Sequence, residues 1–377
     1  MGINAQVSII KCDSYDLIDI ARLLAPLGGM SRFVRPGQKV LIKPNALLGE
    51  TPEHAVTTHP ALISAVVKEV IKAGGIALVG DSPGNAYANV AATMEKTGIK
   101  KAVETAGGQL IYFQQAGVVG KGKIHIARAV IDADVIINLP KLKTHNLTTF
   151  TGAIKNMFGV VPGFNKALYH RRFPNPKDFA AALVDIFAAA KPTLNIMDAI
   201  VGMEGLGPSA GQPRKLGVVI ASTDGVAIDA VSSYLIGYDP GEIDTTVAAF
   251  KRGLGEMRLA NIEISGASLA EIRQPDWKRA LNLYSLVKRW LPGSVFNLIR
   301  PVLNQLKVWP VIDQEKCTRC LVCVNNCPTR TIEQDNKTKI VKINLKDCIS
   351  CFCCHELCEA KAIRLERSWL VRLLKIG

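Results

Sequence analysis

Short apolar runs alternate with amphipathic stretches over roughly the first 265 residues. Lys39-Val40-Leu41-Ile42-Lys43 is a compact apolar run. Pro60 to Ala73 then carries Ile63, Val66, Val67, Val70 and Ile71 at helical spacing, and Ile76-Ala77-Leu78-Val79 is apolar again before Gly80-Asp81. Strand, helix, strand is the order this pattern predicts. Thr58 is placed to cap the helix, Pro60 stands near its first position and Gly74 ends it. Further strands are expected at 134–139, 193–197, 216–221 and 261–265, with helices over 178–190 and after Asp224. Parallel strands need helical crossovers of this kind. Residues 1–270 therefore read as an α/β domain on a doubly wound, mostly parallel sheet.

The pattern changes at 271–312, which holds seven Lys or Arg against two acids and three of the four tryptophans. A basic linker, partly helical, is expected there. Leu283, Leu286, Val287 and Trp290 share one helical face, which either docks on the α/β domain or makes a weak contact with a membrane surface. Residues 313–367 form a small cysteine-rich module, and 368–377 a short basic, apolar tail.

Eight of the ten cysteines fall in two runs of one spacing, C-x2-C-x2-C-x3-C: Cys317, Cys320, Cys323 and Cys327, then Cys348, Cys351, Cys354 and Cys358. Three thiolates in one tight loop can grip three irons of a cube, while the fourth iron needs a ligand from elsewhere. Two 4Fe-4S clusters are the expected cofactors. Paired C-x2-C knuckles also bind zinc, but a third and fourth cysteine in each run fit the iron–sulfur reading better. The module resembles the bacterial two-cluster ferredoxins, a small α+β fold. That resemblance implies that the fourth cysteine of each run serves the other cluster. Cys317, Cys320, Cys323 and Cys358 would hold the first, and Cys348, Cys351, Cys354 and Cys327 the second. Glu359 follows Cys358 where the ferredoxin pattern has proline, so the backbone leaving Cys358 is expected to differ. Cys353 and Cys12 are left over, Cys353 as an alternative ligand beside Cys354 or a buried spectator thiol, and Cys12 as a buried spectator.

Charge narrows the partners. The chain carries 46 basic and 32 acidic residues, a formal +14, at an ordinary charged fraction of 21%. No helix-turn-helix, zinc-finger histidine pair or aromatic RNA-binding strand accompanies that surplus, so nucleic acid is not expected. Lys316, Arg319, Arg330 and Lys346 flank the cysteines, where they would tune the reduction potentials or receive an acidic electron donor or acceptor protein. There is no run of eighteen apolar residues and no signal-peptide pattern. With thiols concentrated for metal, a cytoplasmic location is expected.

The strand candidates end in polar residues where an open α/β sheet builds its ligand crevice. These are Lys43-Pro44-Asn45, Asp81-Ser82-Pro83-Gly84, Lys141 to His145, Asp198 and Thr223-Asp224. The run from Asn138 to Gly159 is the densest. Lys141 and Lys143 are candidates for holding a small anion as point charges, with Lys43, Asn45 and Asn156 completing the binding set. His145 and Lys155 are candidates for proton transfer, or for nucleophilic chemistry if the lysine is desolvated. Asp81 is the third catalytic candidate. The glycine-rich stretch 198–211 lacks the Gly-Lys-Ser/Thr ending of a Walker loop.

Lys43-Pro44-Asn45, Thr58-His59-Pro60, Gly80 to Gly84, Pro140 to His145, Thr151 to Gly159, Glu204 to Pro208 and Asp224 to Asp229 together resemble the domain-of-unknown-function-362 family. Iron–sulfur members of that family pair such an α/β domain with a C-terminal ferredoxin module. A more distant similarity is to the nickel-pincer lactate racemases, in which a histidine precedes a cofactor-tethering lysine by ten positions, as His145 precedes Lys155. Gly152-Ala153-Ile154 stands here in place of that group's Gly-Gly-Arg, and Asp81-Ser82-Pro83 in place of its second histidine. The expected function is an iron–sulfur oxidoreductase or electron-transfer protein acting on a small anionic substrate or cofactor in the crevice. The alternatives are a non-redox lysine/histidine acid–base enzyme with structural clusters, distantly racemase-like, and a pure electron carrier.

Overall fold

A computed structural model describes residues 5–84, 89–115, 117–121, 124–163, 165–173, 175–280 and 308–367. The helical face expected at 283–290 and the tail at 368–377 lie outside them.

The first domain is organised by one ten-stranded sheet. Its strands are β1 (Ala5–Lys11), β2 (Lys39–Pro44), β3 (Ile76–Val79), β4 (Gln109–Leu110), β5 (Val135–Leu139), β6 (Lys141–His145), β7 (Thr149–Thr151), β8 (Leu194–Glu204), β9 (Gln212–Ser222) and β10 (Ile262–Gly266). The main path runs β10-β1-β9-β8-β5-β2-β3-β4, with β6 paired to β8 and β7. All neighbours from β8 to β4 are parallel, while β9 runs antiparallel to both β1 and β8. The sheet is thus mostly parallel, as the alternating pattern predicts, with an antiparallel insertion.

Side chains alternate across such a sheet, and here both faces are covered. Val40, Ile42 and Ile137 pack with Ile63, Val66, Val67 and Val70 of α1 (Pro60–Lys72). Leu41 and Ile136, one position along, pack with the opposite layer. That layer includes α2 (Ala153–Asn156), α3 (Asn165–Arg172) and α4 (Pro176–Ala190), and Phe179, Leu183 and Ile186 of α4 are fully buried in it. Near β1 and β9, α5 (Gly225–Leu235) closes the third apolar cluster.

Three expectations need correction. His59, not Thr58, caps α1, its Nδ1 accepting from Ala61 N at 3.2 Å. The Thr58 hydroxyl is instead buried, donating to Leu139 O at 2.7 Å and accepting from Asn45 N at 2.8 Å, so it ties α1 to two strand ends. Lys141 to His145 is not the polar end of the preceding strand but a strand of its own, β6, buried throughout. Asp198 does not end a strand: β8 continues to Glu204. The cap at Asp224 is as expected, accepting from Val226 N and Ala227 N.

The second module begins earlier than residue 313, because β11 (Val308–Ile312) pairs antiparallel with β14 (Ile363–Arg367) along its whole length. Between them lie α6 (Val322–Asn325), β12 (Ile332–Gln334), β13 (Val341–Ile343) and α7 (Cys353–Leu357), with β12 and β13 antiparallel. At the other end of the supposed linker, residues 271–280 belong to the α/β domain. Trp277 is buried there, and Arg214 bonds Asp276. No described helix is long and apolar enough to cross a membrane.

Candidate functional site

At the carboxyl ends of the parallel strands, Lys43 leaves β2 and is 1% exposed. A buried ammonium needs a partner, and Asp81 supplies it at 2.8 Å. Asp81 is held in turn by Ala46 N at 2.7 Å and Ser82 N at 2.9 Å. A side chain at Gly159 would occupy the space where Lys43 and Asp81 meet, so glycine there is a packing requirement. Behind the pair runs a chain of amides. Asn45 donates to Asn156 Oδ1 at 2.9 Å, Asn156 to Asn138 Oδ1 at 2.7 Å, and Asn138 to Asn195 Oδ1 at 2.9 Å. Each amide fixes the next, which orients Asn45 and Asn156 at the crevice.

These residues face a cavity shared with Lys143, His145, Lys155 and, from α3, Lys166 and His170. Lys143 donates to Asn45 Oδ1 and Val56 O, both at 2.7 Å, and Lys166 to the carbonyls of Ser82 and Pro83. Among the described residues neither has a carboxylate at ion-pair distance. Lys155 makes no hydrogen bond or ion pair with them, only a contact of its ammonium with the Phe158 ring. Burial, first of all, lowers the pKa of Lys155 to about 8 and of Lys166 to about 7, and holds Lys143 and His145 well below their ordinary values. His145 Nδ1 accepts from Leu147 N at 3.0 Å, so the neutral ring carries its proton on Nε2. Four desolvated lysines against two carboxylates, Asp81 and Glu356, leave a cationic surplus that a further carboxylate or phosphate would neutralise.

Of the residues expected at this site, Lys43, Asn45, Asp81, Lys143, His145, Lys155 and Asn156 do line one cavity. Lys141 does not. Its ammonium lies 2.8 Å from Asp198 and 2.9 Å from the Tyr15 hydroxyl, and a point charge spent on a buried pair is not offered to a ligand. Lys166 and His170 were not foreseen. Their signal is a lysine and a histidine one helical turn apart in Asn165–Arg172. Least expected is the second module's share of the wall, which comprises Cys351, Cys353 and Glu356. Cys353 is therefore no remote spectator, whereas Cys12 lies in the α/β core.

The eight cysteines gather in two groups. Cys317, Cys320, Cys323 and Cys358 surround one small cavity, and Cys327, Cys348, Cys351 and Cys354 another. The two runs have matching backbones. Left-handed residues occur at Arg319, Leu321 and Arg330 and again at the equivalent Ser350, Phe352 and Lys361. Thr331 N donates to Cys327 Sγ at 3.3 Å, and Ala362 N to Cys358 Sγ at 3.2 Å. The chain therefore leaves Cys358 as it leaves Cys327, and the different exit expected from Glu359 does not occur. Burial and then the Cys358 charge push Cys323 up to about 11. A thiol raised in this way ionises readily only against bound metal. Four cysteines around each cavity, with an N–H donor aimed at a sulfur in each group, fit an iron–sulfur cube.

A doubly wound crevice domain joined to a ferredoxin-type cysteine module defines an iron–sulfur protein of the electron-transfer class. The chain belongs to the family described as domain of unknown function (DUF362), which matches residues 40–234, and residues 309–359 match a 4Fe-4S dicluster domain. It is 37% identical over 257 residues to the thylakoid-associated protein sll1697 of Synechocystis sp., covering 66% of this chain and 79% of that protein. The NADH-dependent phenylglyoxylate dehydrogenase subunit delta of Aromatoleum evansii is 34% identical over 87 residues, 22% of this chain and 91% of the subunit. Among solved structures, the lactate racemase apoprotein from Thermoanaerobacterium thermosaccharolyticum superposes with a TM-score of 0.40 at 12% identity, over 61% of this chain and 57% of that one. A likeness at that level carries no argument about this chain's activity.

Proposed function

We propose that the protein is an iron–sulfur oxidoreductase that exchanges electrons between a partner protein and a small anion bound in the α/β crevice. Cys317, Cys320, Cys323 and Cys358 would hold one 4Fe-4S cluster, and Cys327, Cys348, Cys351 and Cys354 a second. Bound there, the pair supplies electrons one at a time. The observation that carries the reading is the wall of the cationic cavity, which Lys43, Lys143, Lys155 and Lys166 share with Cys351. At the other end of the module Cys320 is exposed, with exposed Lys316 and Arg319 beside it, which suits a docking partner of acidic surface. Reduction of the crevice anion by two electrons would consume two reduced partner proteins and two protons. Lys155 and Lys166 are within the cavity to deliver the protons.

The homology to an oxidoreductase subunit and the basic rim around Cys320 support electron transfer over a purely structural role for the clusters. Lys155, buried, unpaired among the described residues and with a pKa near neutrality, is the observation that favours acid–base chemistry in the same cavity.

The test is a redox titration followed by electron paramagnetic resonance on anaerobically reconstituted protein, with and without acetate. An anion seated beside Cys351 lowers the potential of one cluster and leaves the other in place. Potentials indifferent to acetate up to saturating concentration would separate the crevice from the electron path and overturn the reading.

A further inference from the structure

The crevice is two chambers. The inner one, lined by the lysines, has a volume of about 80 Å³. A water claims roughly 30 Å³, so this chamber has room for a carboxylate or phosphate group and little else. The outer one has about 530 Å³ and lies between the α/β domain and the cluster module. That size is in the range of whole-ligand sites, roughly 300–1,000 Å³. Leu47 and Glu356 belong to the walls of both chambers and mark the neck between them. Gly84 keeps that neck open, since a Cβ there would lie 2.8 Å from Leu47 Cδ1 and 3.5 Å from Glu356 Oε2.

The chambers differ in chemistry. The inner one presents more cations than anions, with Lys43, Lys143, Lys155 and Lys166 against Asp81 and Glu356. In the outer one Lys361 is already paired with Glu50 at 2.7 Å and Arg364 with Glu366 at 2.7 Å, while Lys96 and Glu359 add one charge of each sign. It also offers apolar wall from Leu47, Leu48, Val56, Pro213 and Ile363. Half-buried leucines facing an open chamber gain by being covered.

We propose that the ligand is an amphipathic carboxylate, with its head among Lys143, Lys155 and Lys166 and an apolar body of several carbons in the outer chamber. This rests on the anion-site reading of the inner chamber and adds the substrate class. The ligand carboxylate enters past Glu356, whose own charge is the strongest attraction acting on Lys155, and supplies the close ion pair that Glu356 does not make. Cys358, which stands in the wall of the outer chamber, places the ligand's body beside the other group of four cysteines.

Isothermal titration calorimetry of the reconstituted holoprotein with acetate, butanoate, hexanoate and octanoate tests it. Affinity should rise about two- to fourfold per methylene, the upper value being the roughly 0.8 kcal/mol of a fully buried methylene. Ala92, exposed at the outer chamber's rim, provides the control. Ala92→Trp should cancel the gain with chain length and leave acetate binding unchanged. Acetate binding with no gain along the series would overturn the amphipathic ligand and leave the anion site standing. A gain that survives in Ala92→Trp would also overturn it, by placing the chain elsewhere. Failure of every member to bind would overturn both the class and the anion site.

Discussion

At the scale of single residues, the crevice was largely legible because polar side chains at strand ends have few other places to go in an open α/β sheet. Seven of the eight expected residues meet in one cavity. Lys141 was misread because sequence does not reveal its partner, and Asp198 is 57 positions away. Lys166 and His170 were missed because they arrive on a helix after a loop, with no strand end to flag them. The lysines carry a pH prediction. Lys166 faces Asp81, Lys43, Lys155 and Glu356, and Lys155 faces Glu356, Cys353 and Lys43. Burial outweighs the acids among these and lowers both lysine pKa values, to about 7 and about 8. A lysine is charged below its pKa, so anion binding is complete in mild acid and lost as pH rises through both values. Acetate affinity measured calorimetrically from about pH 6 to about pH 9 should fall by roughly tenfold or more. A flat profile would mean that the lysines keep their ordinary basicity.

At the scale of elements, strand existence followed from apolar runs, and β2, β3, β5 and α4 lie where the pattern puts them. Strand β6 did not, because Lys-Leu-Lys-Thr-His has one apolar residue in five. Its burial depends on polar partners from other elements, which hydropathy does not record. The four-residue helix α2, which carries Lys155 and Asn156, is likewise too short to stand on propensity. Asp229 of α5 holds its start, accepting from Ala153 N and from Ile154 N at 3.1 Å, and Gly152 is required because any Cβ there would meet that carboxylate. Asp229→Ala leaves two buried N–H groups unpaired, each costing about 1–3 kcal/mol. Denaturant unfolding should therefore show a loss of about 2–5 kcal/mol, with acetate affinity reduced as Lys155 loses its position. Unchanged stability would show that α2 is held by packing alone.

At the scale of the whole molecule, the cysteine spacing foretold an iron–sulfur module but not which face of it meets the α/β domain. That depends on the contact surface, where Glu50 pairs with Lys361 and where α7 brings Cys353 and Glu356 to the inner chamber. The module therefore has a polarity, with Cys320 toward solvent and Cys351 toward the crevice. The proposed electron path requires both groups of four thiols to be loaded. Iron and acid-labile sulfide per chain, determined on protein purified and reconstituted without oxygen, test this most directly. The account predicts about eight of each. About four or fewer would leave one group of cysteines without a cluster and contradict it.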